Sequence, residues 1–351
     1  YIPVIEGSEI NDDPLNPISH FGKEMVQNSG DQTPVTWIHR EERFFEKLAT
    51  PDVTISDLIG DIDPIKAANM KLSYADERVI HFGMIPRANR SIFVINELPD
   101  LQSRIQVALF NILEEGDIQI RGFQVRLPLD LQFVFTANPE DYTNRGSIVT
   151  PLKDRIGSQI LTHYPESIEV AKTITAQEAH LQKGRVCDIQ IPELAKDLVE
   201  QIGFEARNNT YVDHKSGISA RMSITAYENL LSTAEHRCIS SGSEQTSIRF
   251  SDILGMTPSI IGKVELVYEG EQEGAAFVAE KLIGTAAKTL FDKYFPAIKK
   301  LKHETDSDPY EGVLQWFFEA SAFELMDDSS EDEYAKSLNS IGSLDQLIKT
   351  Y

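Results

Sequence analysis

The sequence predicts an α/β chain, with a parallel-sheet core in its first half and helices in its second. Three observations lead there. Two nearly continuous apolar runs, Ile92 to Ile95 in "SIFVINELPDL" and the "LQFVF" ahead of Asn138, each end on a polar tip. Runs without alternation are the pattern of strands covered on both faces of a parallel sheet. Between them Leu101, Ile105, Ala108, Leu109, Ile112 and Leu113 recur at helical spacing. After Pro165 the apolar pattern turns helical.

In chain order, "YIPVI" reads as a short strand, and residues 6–33 as loop with one short helix, being rich in Asn, Asp, Pro and Gly. "TPVTWI" and "FFEKLA" read as strands, and in "DVTISDLIGDIDPIKAANM" a turn over residues 60–64 separates two elements. Asp100 is placed to cap the start of the central helix and Gly116 its end. "DIQIRGFQVRLPL" alternates around a turn near Gly122, a β-hairpin signal over Asp117 to Leu127. In the helical half, "PELAKDLVEQIGFEAR" puts Leu194, Leu198 and Ile202 on one face. "SITAYENLLSTAEHR" carries a Thr225–Glu228 capping box. "GAAFVAEKLIGTAAKTLFDKYF" and "GVLQWFFEASAFEL" are further amphipathic helices.

The 351 residues suggest two to three domains and a sizeable core. No apolar run approaches the ~20 residues of a membrane span. A net charge of −22 argues against generic nucleic-acid binding, which needs basic surface. Cys187 and Cys238 lack metal spacing and read as ordinary thiols of a reducing, cytoplasmic compartment. The acidic run "DDSSEDE", Asp327 to Glu333, reads as a solvated loop. The chain begins at Tyr1 and ends in "LIKTY" without lead-in or tail, and is expected to be a piece of a longer polypeptide.

In parallel α/β sheets ligands bind outside the carboxyl ends of the strands. The polar tips here are Asn96-Glu97 and Asn138. A carboxylate on one tip and an amide on its neighbour can hold water against a phosphate, which is most of what a phosphoryl-transfer protein must do. Taken alone, such tips are more often plain polar strand ends.

The order of segments resembles AAA+ ATPases, specifically the magnesium-chelatase I subunit and MoxR branch. The matching pieces are "LIGDID", "IPRANRSIFVINE", "LFNILEEGDIQIRG", "FVFTANPED", "LKDRIG" and "GISARMS", which span residues 58–223, close to half the chain. Each is weak alone, and six in order are specific. The resemblance implies an AAA+ core over residues 1–165, a helical lid over 166–248 and a helical region over 249–351. It also implies ATP and Mg2+ as cofactors. By that resemblance Glu97 polarises the attacking water, and Asn96 stands where the magnesium-associated Asp is usual. Asn138 matches the sensor-1 residue, Arg155 the arginine finger that reaches a neighbouring subunit, and Arg221 the sensor-2 arginine of the lid. The hairpin matches the pre-sensor-1 insertion. A ring, a hexamer, and a partner with a von Willebrand factor A-type domain are implied, without nucleic acid or membrane.

Two departures stand out. Asn in place of Asp at position 96 removes a charge whose attraction for a metal ~5 Å away is about 3 kcal/mol per unit of the metal's charge at an effective dielectric of ~20. No GxxxxGK[ST] phosphate loop occurs in the sequence, and one is expected shortly upstream of Tyr1. The function expected is an ATP-driven motor coupled to metal insertion or to remodelling of a partner. The alternatives are a MoxR-type chaperone unrelated to tetrapyrroles and a nucleotide-insensitive scaffold. Without the family, Arg155 reads as a surface arginine paired with Asp154 or another acid. Arg221 then reads as a solvated residue near a helix start.

Overall fold

The computed structural model describes residues 1–73, 76–116, 118, 127–138, 146–181, 184, 186–213, 218–296, 298, 308–320 and 322–351, with the backbone alone at 111 and 115. The chain forms two compact units, Tyr1–Leu161 and Thr162–Tyr351.

The strands of the first unit are β1 (Ile2–Ile5), β2 (Val35–Ile38), β3 (Phe44–Leu48), β4 (Gly60–Ile62), β5 (Ile80–Phe82), β6 (Ser91–Asn96) and β7 (Leu131–Phe135). Its helices are α1 (His20–Ser29), α2 (Ile55–Leu58), α3 (Pro64–Met70), α4 (Met84–Arg87), α5 (Ser103–Glu115) and α6 (Thr150–Arg155). The central sheet is parallel in the order β3-β6-β7, with Phe45 beside Phe93 and Phe93 beside Phe133. β1 pairs antiparallel with β2, and β4 with β5. The expected turn over residues 60–64 therefore contains strand β4, which Gly60 enters at a φ of 117°. A Cβ there would lie 2.3 Å from the His81 carbonyl oxygen, so the β4–β5 approach requires glycine. Helix α3 follows at once, with Pro64 in its first turn and Asp63 accepting from the Ile65 and Lys66 amides.

One face of the central sheet is core. Phe93 and Ile95 pack in one cluster with Ile105, Leu109 and Ile112 of α5 and Leu152 of α6. Gly116 ends α5 in the left-handed conformation, its amide bonded to the Ile112 carbonyl, as the sequence led us to expect. Asp100 does not cap the start. It closes a short 3-10 turn over Leu98–Asp100, and Gln102 takes the cap position without a side-chain bond. The expectation of cover on both faces fails as well. Phe44, Leu48, Ile92 and Val134 share the second face and are 54, 52, 43 and 42% exposed. An apolar run records that a face is suited to burial, and among the described residues that face is covered only around Val94, which is 8% exposed. The expected hairpin lies outside the described residues apart from Ile118 and Leu127, both buried.

The second unit holds α7 (Ile168–Glu178), β8 (Asp188–Gln190), α8 (Glu193–Arg207), α9 (Arg221–Ser240), β9 (Gln245–Ser247), α10 (Thr257–Ile261), α11 (Tyr268–Glu273), α12 (Ala275–Tyr294), α13 (Glu311–Glu319), α14 (Glu331–Asn339) and α15 (Leu344–Thr350). Leu198 and Ile202 of α8, Met222 and Leu230 of α9, and Leu282 and Ile283 of α12 form its core. Leu194 stays half exposed, because Ala195 and Val199 complete the buried stripe in its place. The expected Thr225–Glu228 capping box does not form. Helix α9 already begins at Arg221, and the Thr225 hydroxyl donates to the Arg221 carbonyl at 2.9 Å. The acidic run is no free loop either. Arg249 donates to the Asp327 and Ser329 carbonyls at 2.8 and 3.0 Å and to Glu331, which also accepts from Thr246 and Ser247. Cys187 and Cys238 are buried, and both thiols donate to the Ser243 carbonyl.

Candidate functional site

The three parallel strands end on one edge, which gathers Asn96, Glu97 and Thr136, with Glu46 two residues back from the end of β3. Glu46 and Asn96 lie on the same, exposed face of the sheet, since Glu46 registers with Val94 and Leu48 with Asn96. The Asn96 side chain bonds in both directions. Its Nδ2 donates to Glu46 Oε1, and its Oδ1 accepts from the Thr136 hydroxyl at 3.1 Å. Thr136 Oγ1 in turn accepts the Glu97 amide at 3.1 Å. The Leu98 amide bonds to the Thr136 carbonyl at 2.9 Å, so β6 and β7 hold the turn between them.

That turn is strained. Glu97 sits in the left-handed region at φ 56° and ψ 49°. For a residue with a Cβ this conformation costs roughly 1–2 kcal/mol and persists only where neighbours over-determine it. The strain swings the Glu97 side chain out of the strand alternation. Among the described residues its carboxylate has no hydrogen-bond or ion-pair partner, so it is available as a proton acceptor. Asn138 follows Thr136 by two residues and is exposed.

Sequence reasoning singled out Asn96, Glu97 and Asn138, and the structure brings the first two together through Thr136. It missed Thr136 and Glu46. Thr136 is the first polar residue after "FVF", and Glu46 is a charge inside "FFEKL". Neither signal says which side chain each would meet, because that depends on cross-strand register.

The oxygen donors of this edge suit a hard cation that is also held by phosphate oxygens. Glu46 and Glu97 supply carboxylates, Asn96 an amide oxygen and Thr136 a hydroxyl. Among the described residues no three His, Cys, Asp or Glu side chains come together, so these residues alone make no closed metal cage.

Arg155 ends α6 and is paired within its own chain. Its guanidinium meets Glu114 at 2.6 Å and Asp154 at 3.0 Å, and lies 5.5 Å from the Phe110 ring centre. The hydrogen bond it donates to Glu114 raises its pKa, so it is a permanent cation. Both members of the Glu114 pair are more than a third exposed, which makes the pair weak and separable. The buried Gln106 positions this segment. Its Nε2 donates to the Leu101 and Ser147 carbonyls, and its Oε1 accepts the Val149 amide. Arg221 is the first residue of α9 in the second unit, exposed, with its amide donating to Ser219 Oγ at 3.2 Å.

This edge and α6 fall within residues 36–156, which match the family described as the AAA domain of the dynein-related subfamily. These residues form an AAA domain. The chain is also 25% identical over 153 residues to the magnesium-chelatase 38 kDa subunit of Cereibacter sphaeroides. That match covers 41% of this chain and 43% of the relative, so it spans under half of each. Among solved structures, similarity extends to the complex of the magnesium-chelatase subunits BchI and BchD, at 16% identity over 77% of this chain and 82% of that one, with a TM-score of 0.37. It extends also to NtrX of Brucella abortus, at 13% identity over 95% and 70%, with a TM-score of 0.40. No helix among the described residues is long and apolar enough to cross a membrane.

Proposed function

We propose that this AAA domain binds ATP with Mg2+ and hydrolyses it at the β6–β7 edge. The observation that carries the reading is Glu97, a carboxylate held on a strained strand tip by Thr136, inside the segment that matches the AAA family. In this reading Glu97 takes the proton of the attacking water. Asn138 orients that water from the neighbouring strand. Asn96 and Thr136 fix the edge, and Asn96 retains an oxygen acceptor where an aspartate is usual. Bound Mg2+ supplies charge neutralisation on the phosphates. Arg221 binds phosphate from the helical region, and Arg155 leaves Glu114 to reach the nucleotide of a neighbouring subunit.

Arg155 in this role requires a ring, for which a hexamer is the natural proposal. The likeness to a magnesium-chelatase subunit supports a motor that drives metal insertion or remodelling in a partner with a von Willebrand factor A-type domain. The three-part division into core, lid and C-terminal helical region belongs to the same proposal. The test is Glu97→Gln in the full-length polypeptide. The change keeps the shape and removes the proton acceptor, so nucleotide should still bind and turnover should cease. Hydrolysis within a few-fold of the unaltered protein would show that Glu97 is not the catalytic acid.

A further inference from the structure

Asn96 raises a question that the nucleotide reading leaves open. An amide where a metal-associated carboxylate is expected removes a negative charge from the site. The structure shows where another charge stands. Glu46, on the adjoining parallel strand β3, points along the same face and accepts the Asn96 Nδ2 hydrogen. The chain of bonds runs from the Glu97 amide to Thr136 Oγ1, from the Thr136 hydroxyl to Asn96 Oδ1, and from Asn96 Nδ2 to Glu46. The amide bridges this pair because it donates on one side and accepts on the other. Aspartate at 96 could accept from Thr136 but could not donate to Glu46, and it would set two carboxylates against each other.

From this arrangement we propose that Glu46 supplies the missing carboxylate, holding Mg2+ at the nucleotide edge with Asn96 as its amide bridge. The inference rests on the nucleotide reading and adds to it a residue and a physical reason for Asn at 96. Mg2+ usually keeps several waters and is held by one or two carboxylates together with substrate phosphates, and Glu46 would supply one such charge through that water shell while Glu97 stays the proton acceptor. Glu46 acts through Asn96 and the metal's water shell, and is thus a positioning residue. At ~8 Å and an effective dielectric of ~20 its charge would strengthen the binding of a divalent ion about 1,000-fold, and screening by salt over a Debye length of ~8 Å brings this to about tenfold. A purely structural role, tying β3 to β6, would leave metal affinity unchanged.

The experiment measures Mn2+ affinity by electron paramagnetic resonance, in the full-length polypeptide with a non-hydrolysable ATP analogue. Metal-free nucleotide affinity is measured in parallel. Glu46→Gln should weaken Mn2+ binding about tenfold and leave metal-free nucleotide binding unchanged. Adding Asn96→Asp to that variant should restore Mn2+ affinity, because the charge returns one side chain nearer. A Glu46→Gln protein whose Mn2+ affinity stays within twofold overturns the role of Glu46 and leaves the nucleotide site standing. A double variant no better than Glu46→Gln also overturns it. If the unaltered protein binds no nucleotide, the nucleotide reading fails and Glu46 loses its role with it.

Discussion

Replacing Gln106 by Leu should loosen the segment that carries Arg155, by an amount the hydrogen bonds define. The side chain is 1% exposed and serves three backbone groups. It donates to the Leu101 carbonyl at 2.8 Å and to the Ser147 carbonyl at 3.2 Å, and accepts the Val149 amide at 2.9 Å. Ser147 is exposed, and water can replace that bond. The Leu101 carbonyl and the Val149 amide lie deeper, and each orphaned buried group costs about 1–3 kcal/mol. Leu fills similar space and recovers about 1 kcal/mol of apolar burial. The net loss is then about 2 kcal/mol. At a urea slope of ~2 kcal/mol/M this moves the unfolding midpoint down by about 1 M, read from Trp37 fluorescence. Hydrogen exchange at the Val149 amide should speed up as well. A midpoint shift below ~0.2 M, with Val149 still protected, would refute the clamp.

Three further outcomes are expected. Glu114→Gln should free Arg155 and raise the hydrolysis rate up to a few-fold, because the exposed pair competes with the proposed phosphate contact; a lower rate would count against that competition. Arg221→Ala should weaken nucleotide affinity with little change in melting temperature, since Arg221 is exposed, and unchanged affinity would remove it from the site. Burial raises the pKa of Glu200, which accepts from Thr175 at 2.6 Å. The folded state therefore binds this proton more tightly than the unfolded state. The stability it confers is full below the ordinary carboxylate pKa and is lost as pH rises through the raised folded value. Glu200→Gln should accordingly stabilise the second unit at pH 7–8 and gain nothing near pH 4; equal gains at both would exclude titration of Glu200 as the cause.

The sequence made some of this structure legible. Strands β6 and β7 appear as apolar runs because parallel strands leave no alternation, and α5 shows both its periodicity and its Gly116 stop. Asn96 and Glu97 were visible as a polar end to such a run. What the sequence hid depends on which distant side chains meet. Glu46 looks like an ordinary charge in a short strand until β3 registers beside β6. Gln106 looks like a polar residue on a helix until residues 146–149 pass over it. Glu331 sits in an acidic run that composition assigns to solvent, yet Arg249, 82 positions earlier, holds it. The exposed second face of the sheet misled in the other direction, since apolar character shows suitability for burial and says nothing about what provides it.

The measurement that tests the central claim most directly mixes two inactive chains. In other NTPases an arginine supplied to a neighbour's phosphates is worth ~10³–10⁵ in rate. Full-length Arg155→Ala and Glu97→Gln should therefore each be nearly inactive alone. A ring built from both contains interfaces at which an intact Glu97 faces an intact Arg155. ATP hydrolysis should reappear in the mixture, above either variant by itself. A mixture that forms mixed rings and stays as inactive as its components would contradict a nucleotide site shared between subunits, and would leave Arg155 as the surface partner of Glu114.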